Sequence, residues 1–311
     1  MNNSVIILGG NGRLGSSLID YLKLTTEHKI ISVDKVLTGD NNADISLHYD
    51  IDDKDLVKDL LNESGEKNLI INAAGIQHSF FTKKINLLNY ESPVEFLKNL
   101  NYAKINFFFI QISSLSATNG ENIIPIAGVG EPINYYGKTK VKFEKFLAKY
   151  LTSKNYFILR PGAFYGENYK NTNFDKFISL LRNGIFIFPR KKYLRSYTNI
   201  KTVFSSIEII KNKYFNQKEI NCNISNIVDI NPISSIDLFY EFKLKYKHKK
   251  PPIVLPEYFF QTVAKLSFML EKKLGIHINL LTLIGEQGFH FYGDIDEFFK
   301  IENLNHYETK F

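Results

Sequence analysis

Tyr136 and Lys140 are the residues of this sequence whose types and spacing most directly suggest chemistry. Four positions apart, their side chains would share one face of a helix. A lysine ammonium beside a tyrosine would lower the pKa of the phenol from about 10 towards neutrality. Such a phenol can take a proton from an alcohol or return one to a ketone. The pattern is frequent by chance in a chain with 18 tyrosines, and Tyr135 is an adjacent alternative.

A run of serines supplies hydroxyl groups for the same chemistry. Ser113-Ser114-Leu115-Ser116 directly follows the apolar run 107–112. In open α/β sheets, ligands bind at the carboxyl ends of the strands. A serine at this point could hold the reacting oxygen against the tyrosine. The alternative is a set of turn-forming serines without a catalytic role.

The stretch Gly9-Gly10-Asn11-Gly12-Arg13-Leu14-Gly15 follows the apolar run 5–8. A strand that ends in a glycine turn and opens a helix is suited to hold a dinucleotide pyrophosphate. Gly9 would permit the tight turn, Gly12 the approach of the phosphates, and Gly15 the packing of helix on sheet. The first two of these glycines are one residue further apart than in the common G-x-G-x-x-G fingerprint. The motif predicts a nicotinamide dinucleotide cofactor, whose positive ring would also favour the phenolate.

Asp34 ends the second apolar run, 19 residues beyond Gly15. An acidic side chain there would accept hydrogen bonds from the adenosine ribose, and it favours NAD over NADP because it repels a 2′-phosphate. Lys35 weakens that preference, so NADP remains an alternative. Asp34 could instead be a helix cap or a loop residue.

The elements that must position these residues follow an alternating pattern. Apolar runs at 5–8, 30–33, 69–71, 107–112 and 156–159 are separated by amphipathic stretches. This pattern predicts an α/β fold, a doubly wound parallel (Rossmann) sheet, with a small C-terminal substrate lobe. We expect a cofactor domain over 1–165 and a mixed α/β lobe over 166–311, some of whose segments return to the core. Within 257–274 we predict a helix that faces the core, with a membrane-surface helix as the minor alternative; its proposed core residues are Phe259, Val263, Leu266, Leu270 and Leu274.

Composition narrows the class of protein. The chain has 311 residues, a net charge of +7 and a single cysteine, Cys222, so no disulfide framework is expected. We expect no metal site, because the seven histidines lack ligand spacing. No signal peptide and no membrane-spanning run is recognised, which predicts a cytoplasmic protein without stable membrane insertion. The charge suits an anionic ligand, and no nucleic-acid-binding motif accompanies it.

These motifs together resemble the extended short-chain dehydrogenase/reductases. The resemblance covers residues 1 to about 203 and includes further motifs in the family's order. They are Asp50-Ile51 near the adenine, Asn72-Ala73-Ala74-Gly75 after the fourth strand, Asn89 on a helix, Arg160-Pro161-Gly162-Ala163-Phe164-Tyr165-Gly166, similar to R-P-x-N-V-Y-G, and Arg195-Ser196-Tyr197-Thr198-Asn199-Ile200, similar to R-D-F-x-H-V.

The resemblance implies a role for each matching position. Tyr136 would exchange the proton, Ser114 would orient the oxygen, and Lys140 would hold the nicotinamide ribose. Ser114 is chosen by register with the double serine, and Ser113 and Ser116 remain alternatives. The implied cofactor contacts are Gly9, Gly12, Arg13, Leu14, Gly15, Asp34, Asp50, Ile51, Ala73, Ala74, Gly75, Asn89, Tyr136, Lys140 and Pro161. Substrate contacts are expected from Arg195, for a phosphate, and from Ser116.

The departures from the family pattern bear on the reaction. Ala163, Ser196 and Asn199 replace an asparagine, an aspartate and a histidine of the motifs, and no arginine follows Arg195. These changes weaken the case for a pyrophosphate-bearing substrate. Leu115-Ser116 stands where sugar dehydratases carry an Asp-Glu pair, which disfavours dehydration.

The resemblance implies NAD-dependent hydride transfer on a sugar, most often a nucleotide-activated one, by a homodimer. A nucleotide-sugar epimerase is preferred by a narrow margin over an NAD(P)H-dependent ketoreductase or dehydrogenase. An alternative from another class is a non-catalytic sensor or scaffold that binds the dinucleotide.

Overall fold

The computed structural model describes residues 3–36, 41–118, 132, 134–166, 179, 187–229, 231–246, 251–293, 297–302 and 304. Its strands are β1 Asn3–Leu8, β2 Lys29–Asp34, β3 Ile45–His48, β4 Lys67–Asn72, β5 Phe107–Ile112, β6 Tyr156–Pro161, β7 Ala163–Tyr165, β8 Ile187–Pro189, β9 Leu194–Arg195, β10 Tyr197–Asn199, β11 Ile224–Ile227, β12 Ile233–Ser234 and β13 Ile253–Leu255. Its α-helices are α1 Arg13–Thr25, α2 Lys54–Glu63, α3 Thr82–Asn86, α4 Ser92–Tyr102, α5 Tyr135–Tyr150, α6 Ile200–Phe215, α7 Ser235–Tyr246, α8 Glu257–Leu274, α9 Asn279–Glu286 and α10 Glu297–Ile301.

The central sheet has seven parallel strands in the order β11-β6-β5-β4-β1-β2-β3. All residues of β1, β5 and β6 are buried. Mostly apolar strands fit this position, because helices cover both faces of the sheet. The predicted doubly wound parallel sheet is confirmed.

Two hydrophobic clusters lie on opposite faces of this sheet. One joins the strands to α1 and α6 through side chains such as Leu18 and Ile207. The other joins them to α2, α4 and α5 through side chains such as Leu60, Phe96 and Phe143. Helix α5, which contains Tyr136, is therefore fixed on the sheet by its apolar face.

The chain order reverses between β1 and β4, which are neighbours in the sheet. Ligands of doubly wound sheets bind at such a reversal, outside the carboxyl ends of the strands. The glycine turn after β1 and the Asn72-Ala73-Ala74-Gly75 turn after β4 meet at this point. The fold therefore places the two motifs side by side.

Segments after residue 166 both complete the sheet and build onto it. β11 pairs with β6 at the sheet edge, and α6 packs in the first cluster. Three short strand pairs, β7 with β10, β8 with β13 and β9 with β12, lie outside the sheet. The division at residues 165 and 166 stays a prediction.

Helix α8 confirms the predicted helix but not its predicted face. Leu266 and Leu274 are 44% and 63% exposed, whereas Phe260, Ser267 and Glu271 are buried. Polar contacts explain which face of α8 is buried. Ser267 Oγ lies 2.9 Å from Thr282 Oγ1, and Glu271 Oε1 lies 2.6 Å from His277 Nδ1. Among the residues that the structure describes, no helix is both long and apolar enough to cross a membrane.

Candidate active site

Ser113 and Ser114 follow β5 and point to different partners. Ser113 Oγ donates to Glu144 Oε1 at 2.5 Å, and Glu144 forms a buried ion pair with Arg160, whose NH2 lies 2.5 Å from Oε2. Ser113 thus belongs to a buried structural network. A hydrogen bond joins the side chains of Ser114 and Tyr136. The structure therefore brings together the two residues to which the sequence assigns orientation and proton exchange.

The start of α5 fixes the tyrosine against the serine turn. Asn134 caps the helix, its Oδ1 accepting from the backbone N–H of Gly137 at 2.6 Å. A Cβ on Gly137 would lie 1.9 Å from the carbonyl oxygen of Ser116, so only glycine permits this approach. Ser116 in turn donates its backbone N–H to Ser114 Oγ at 3.1 Å. Ser116 thus helps to hold Ser114, and its substrate contact stays a prediction.

Lys140 is buried one turn beyond Tyr136. Its Nζ donates to the carbonyl oxygen of Ile112 at 3.1 Å and lies 5.6 Å from the centroid of the Tyr136 ring. Burial lowers the pKa of Lys140 to about 8, and the nearby Glu144 carboxylate opposes that shift. The ammonium is therefore held close to the phenol at a pKa near neutrality.

The pKa of the Tyr136 phenol is higher than expected for a tyrosine beside a lysine. Burial raises the pKa of Tyr136 to about 12, and the hydrogen bond from Ser114 offsets only part of that rise. Desolvation of the phenolate thus outweighs the protein's own stabilising groups. The lysine by itself does not bring the pKa of this phenol below its usual value. The lowering expected from the lysine and a positive nicotinamide ring together stays a prediction.

The glycine turn has the shape that a dinucleotide requires. Gly9 has φ +80°, and a Cβ there would lie 2.8 Å from the Cα and N of Ala74. A Cβ on Gly15 would lie 2.1 Å from the carbonyl oxygen of Gly9, so this glycine allows α1 to pack on the turn. Gly12 precedes α1 without a capping side chain, and the nearest atom to a Cβ there is 3.1 Å away. The amide groups that open α1, at Arg13 and Leu14, fit a pyrophosphate.

Asp34 lies at the end of β2, beside the same turn. Its Oδ2 accepts from the backbone N–H of Asn11 and its Oδ1 from that of Val36, both at 3.0 Å. Lys35 Nζ forms an ion pair with Asp50 Oδ2 at 2.8 Å, and Ile51 donates its backbone N–H to Asp50 Oδ1 at 3.1 Å. The residues expected around the adenosine are therefore neighbours, and each carboxylate oxygen of Asp34 retains a lone pair for a ribose hydroxyl.

Asn89 lies in a π-helical turn, Leu87–Glu91, and supports the turn after β4. Its side chain donates to the carbonyl oxygen of Ile76 at 2.8 Å and accepts the N–H of Ile76 at 2.9 Å. A Cβ on Gly75, whose φ is +145°, would lie 2.6 Å from Asn89 Oδ1 and 3.5 Å from Lys140 Nζ. Asn89 therefore packs this turn against the lysine, and its contact with a cofactor stays a prediction.

Ala73 and Pro161 complete the expected cofactor edge. Ala73 donates its N–H to the carbonyl oxygen of Leu8 at 3.0 Å, which joins the turns after β4 and β1. Pro161 ends β6, directly before Gly162, whose N–H donates to Thr198 Oγ1 at 2.7 Å. Both residues thus lie at the carboxyl ends of sheet strands, as their predicted role requires.

Arg195 lies in an environment that the sequence did not indicate. Its guanidinium donates to the carbonyl oxygen of Glu286, stacks 5.0 Å from the centroid of Phe291, and lies near the Glu286 carboxylate. Its Nε is buried and has no hydrogen-bond partner among the described residues. The neighbouring Glu286 carboxylate offsets part of the charge of Arg195, and the contact of Arg195 with a substrate phosphate stays a prediction.

The departures at 196 and 199 have local explanations. Asn199 caps α6, its Oδ1 accepting from the N–H of Lys201 at 3.0 Å. Ser196 is buried and accepts the N–H of Gly293 at 3.4 Å. Ala163 is exposed at the start of β7. Two of the three substituted positions thus serve the packing of the C-terminal segments.

A cluster of titratable groups escaped the sequence analysis. His78 Nδ1 lies 3.1 Å from His277 Nε2, and His277 Nδ1 lies 2.6 Å from Glu271 Oε1. Glu271 Oε2 accepts the backbone N–H of Tyr135 at 3.1 Å. No local signal could have revealed this cluster, because the two histidines are 199 positions apart.

Comparison with known proteins agrees with this geometry. Residues 5–194 match the model of the NAD dependent epimerase/dehydratase family. The chain belongs to this family. The resemblance to the extended short-chain dehydrogenase/reductases is thereby confirmed, as is the predicted class of cofactor, NAD or NADP.

Solved structures of similar fold include both epimerases and a reductase. A UDP-glucose 4-epimerase from Thermotoga maritima, solved with UDP-glucose, is 19% identical, with 96% of this chain and 99% of that chain covered and a TM-score of 0.63. A UDP-glucuronic acid 4-epimerase from Bacillus cereus, in complex with UDP-glucuronic acid and NAD, is 18% identical over 81% and 86%, with a TM-score of 0.64. A dTDP-4-dehydrorhamnose reductase from Bacillus anthracis, in complex with NADP, is 19% identical over 82% and 85%, with a TM-score of 0.61. At this identity the similarity establishes the fold and leaves the reaction open.

Proposed function

We propose that this family member is an NAD-dependent epimerase that acts at a carbinol carbon of a nucleotide-activated sugar. The observation that carries the proposal is the hydrogen bond between Ser114 and Tyr136, with buried Lys140 one helical turn away. A protein that only binds the dinucleotide needs the glycine turn but not these three side chains.

The proposed mechanism assigns one task to each of the three. Tyr136 takes the proton of the sugar hydroxyl and later returns one to the ketone oxygen. Ser114 hydrogen-bonds the same oxygen and holds it near the phenol. Lys140 contributes its ammonium, which favours the phenolate, and binds the ribose next to the nicotinamide. When bound at the glycine turn, a nicotinamide dinucleotide would supply the hydride chemistry, as acceptor of the hydride from the carbinol carbon and as its donor to the ketone.

The cofactor-binding residues fit NAD better than NADP. Asp34 would repel a 2′-phosphate, and Lys35, which could attract one, is paired with Asp50 at 2.8 Å. The glycine turn at the start of α1 supports a pyrophosphate site, because Gly12 carries no side chain at the amino end of this helix. This preference for NAD supports an epimerase, which retains its cofactor through the reaction.

The second candidate is an NAD(P)H-dependent ketoreductase or dehydrogenase of similar sugars. The observation that favours it is the Arg195 site, where a Glu286 carboxylate lies close to the guanidinium and no second arginine follows in the chain. Such a site is weakly suited to a pyrophosphate, because a carboxylate and a phosphate repel each other.

Cofactor extraction followed by a panel of nucleotide sugars distinguishes the two reactions. NAD that survives gel filtration, with product formed and no net NADH released, supports the epimerase. Stoichiometric consumption of NADH or NADPH with a keto-sugar supports the reductase and rejects the epimerase.

Replacement of the two neighbouring tyrosines tests whether the protein is an enzyme at all. Tyr136→Phe should reduce turnover by about 10²–10⁴-fold, the usual contribution of a positioned acid or base, and leave NAD binding intact. Tyr135→Phe is the matched control and should retain activity. Turnover that survives Tyr136→Phe would contradict the mechanism, and no turnover in the native protein with any sugar would favour a sensor or scaffold.

We further propose a homodimer in which α4 and α5 of two copies form a four-helix contact. Light scattering measures its mass directly. A monomer at micromolar concentration would reject this assembly.

A further inference from the structure

A group of exposed apolar side chains lies where the turn after β4 meets the end of α8. It comprises Phe80, Phe81, Leu87 and Leu274, which are 59%, 61%, 39% and 63% exposed; we call this group the phenylalanine tip. The rings of Phe80 and Phe81 contact each other edge to face at 5.0 Å. Large apolar patches of this kind on a soluble surface mark sites of interaction.

The backbone holds the tip in a defined shape. Thr82 donates its N–H to the carbonyl oxygen of Gly275 at 2.9 Å, and His277 donates its N–H to that of Phe80 at 2.8 Å. A β-bridge joins Phe81 to Ile276. Two segments far apart in the chain therefore support the two phenylalanines, and exposure of the rings is a property of the fold rather than of a loose loop.

Lysines dominate the charge around the tip. Lys83 and Lys84 line a groove with Phe81, Leu87 and Leu274. Lys272 and Lys273 precede Leu274 in the last turn of α8, and all four lysines are exposed. Segments 76–90 and 272–285 contain these four lysines and no aspartate or glutamate, and the exposed Glu91, which accepts from Asn86 Nδ2 at 2.6 Å, directly follows the first segment. The tip therefore combines apolar groups with a predominantly positive rim.

We propose that the phenylalanine tip docks onto an anionic lipid membrane. Aromatic side chains that enter the headgroup region, flanked by lysines that attract acidic headgroups, are the two features of reversible membrane binding. A protein partner with a mixed surface would not require this excess of lysines. The net charge of +7 adds a long-range attraction to the same surface.

Docking at this point would bring the active-site edge of the sheet towards the lipid. The tip follows the turn after β4, at the carboxyl ends of the strands, where Ser114 and Tyr136 also lie. The groove of about 480 Å³ between α3 and the end of α8 lies within the size range of small-molecule sites, so it can accept part of an acyl chain. The inference does not depend on the proposed reaction.

Sedimentation with lipid vesicles tests the proposal. The purified protein should bind vesicles of phosphatidylglycerol and phosphatidylcholine, and should bind pure phosphatidylcholine far more weakly. Each lysine near an anionic surface contributes about fivefold to partitioning, so Lys83→Ala with Lys84→Ala should lower binding about 25-fold. Phe80→Ser with Phe81→Ser should lower it about a hundredfold, from the loss of two buried rings.

A matched pair of lysines controls for net charge. Lys154 and Lys218 are exposed at the opposite edge of the sheet, before β6 and β11, and Lys154→Ala with Lys218→Ala should leave binding nearly unchanged. Unfolding curves and NAD binding of every variant should equal those of the native protein, since the replaced side chains are exposed.

Three results would overturn the proposal. They are absence of binding to phosphatidylglycerol vesicles, equal binding by the phenylalanine variant, and equal losses in both lysine pairs. Light scattering tests whether a second copy of the chain, instead of a membrane, covers the tip. If the protein is a dimer that dissociates on substitution of Phe80→Ser with Phe81→Ser, a second copy covers it.

Discussion

Ser113 and Ser114 are adjacent in the chain, but their hydroxyl groups interact with different residues of α5, Glu144 and Tyr136. Ser113 donates into the buried Glu144–Arg160 pair, and Ser114 is hydrogen-bonded to Tyr136. One serine therefore stabilises the core while the other reaches the site. The double serine is thus one structural and one functional position.

This division predicts opposite effects of two alanine substitutions. Ser114→Ala should lower kcat by about 10²-fold, by analogy with loss of one donor to a developing oxyanion. It should lower the free energy of unfolding by only about 1 kcal/mol, because the capping hydrogen bond from the Ser116 N–H is lost. Ser113→Ala should leave kcat nearly unchanged and lower the free energy of unfolding by about 1.5–3 kcal/mol, because a hydrogen bond to a buried carboxylate is lost. Steady-state kinetics and urea denaturation of both variants decide; the reverse pattern would make Ser113 the functional hydroxyl.

Lys140 predicts an alkaline limit to activity. Burial lowers its pKa to about 8, so the ammonium that supports Tyr136 is lost as pH rises through that value. We expect kcat/KM to fall above about pH 8. Stability should change in the other direction: between about pH 8 and 10 the unfolded chain binds more protons at this lysine than the folded one, which favours folding as pH rises.

The two measurements together separate chemistry from unfolding. A pH profile of kcat/KM should be recorded beside denaturation curves at the same pH values, with Lys140→Met as the reference. A parallel loss of activity and of stability above pH 8 would contradict this assignment. A flat difference between native and Lys140→Met stability across that range would do the same.

Alanine substitutions of two glycines in the turn after β1 should have different effects. Gly9→Ala places a Cβ against the backbone of Ala74 at a φ of +80°, and should lower the free energy of unfolding by about 1–3 kcal/mol. Gly12→Ala places a Cβ 3.1 Å from the carbonyl oxygen of Gly9, a milder contact, and should mainly weaken NAD binding, by at least about tenfold, the equivalent of one lost charged hydrogen bond. Calorimetric titration with NAD and thermal unfolding measure both; equal NAD affinity in Gly12→Ala would place the pyrophosphate elsewhere.

The buried Glu144–Arg160 pair links stability to the site. Glu144→Gln should lower the free energy of unfolding by about 3–5 kcal/mol, because the Arg160 guanidinium is left buried without its partner charge. It should also move the alkaline limb of the pH profile below its native position, since Glu144 raises the pKa of Lys140. The double variant Glu144→Met with Arg160→Met should regain much of the lost free energy of unfolding. It should not return the alkaline limb of the pH profile to its native position.

The parts of the site that local sequence determines were predictable. Strand, glycine turn and helix follow one another within residues 3–25, and the Tyr136–Lys140 spacing is a property of a single helix. The sheet order brings the turns after β1 and β4 together, so a correct fold class already places Gly9 beside Ala74. Family motifs added the choice of Ser114.

The parts that depend on distant segments were not predictable. The sequence of α8 shows helical periodicity, but its buried face is decided by Thr282 and His277, which lie beyond the helix. The pKa of Tyr136 depends on how completely the fold removes water from the phenol, and no spacing rule reports that. The backbone carbonyl oxygen of Glu286 accepts from the Arg195 guanidinium across 91 positions of chain.

The start of helix α5 is hydrogen-bonded to residues near the end of the chain. Glu271 of α8 accepts the N–H of Tyr135, and Asn134, the cap of α5, donates to Glu286 of α9 at 2.6 Å. A chimera that replaces the segments after Gly166 with those of a relative would import foreign partners for Asn134 and Tyr135. Such a chimera would therefore alter the position of Tyr136. We expect the protein to accept only a chimera in which α5, α8 and α9 all come from the same protein and the segments between α5 and α8 are replaced.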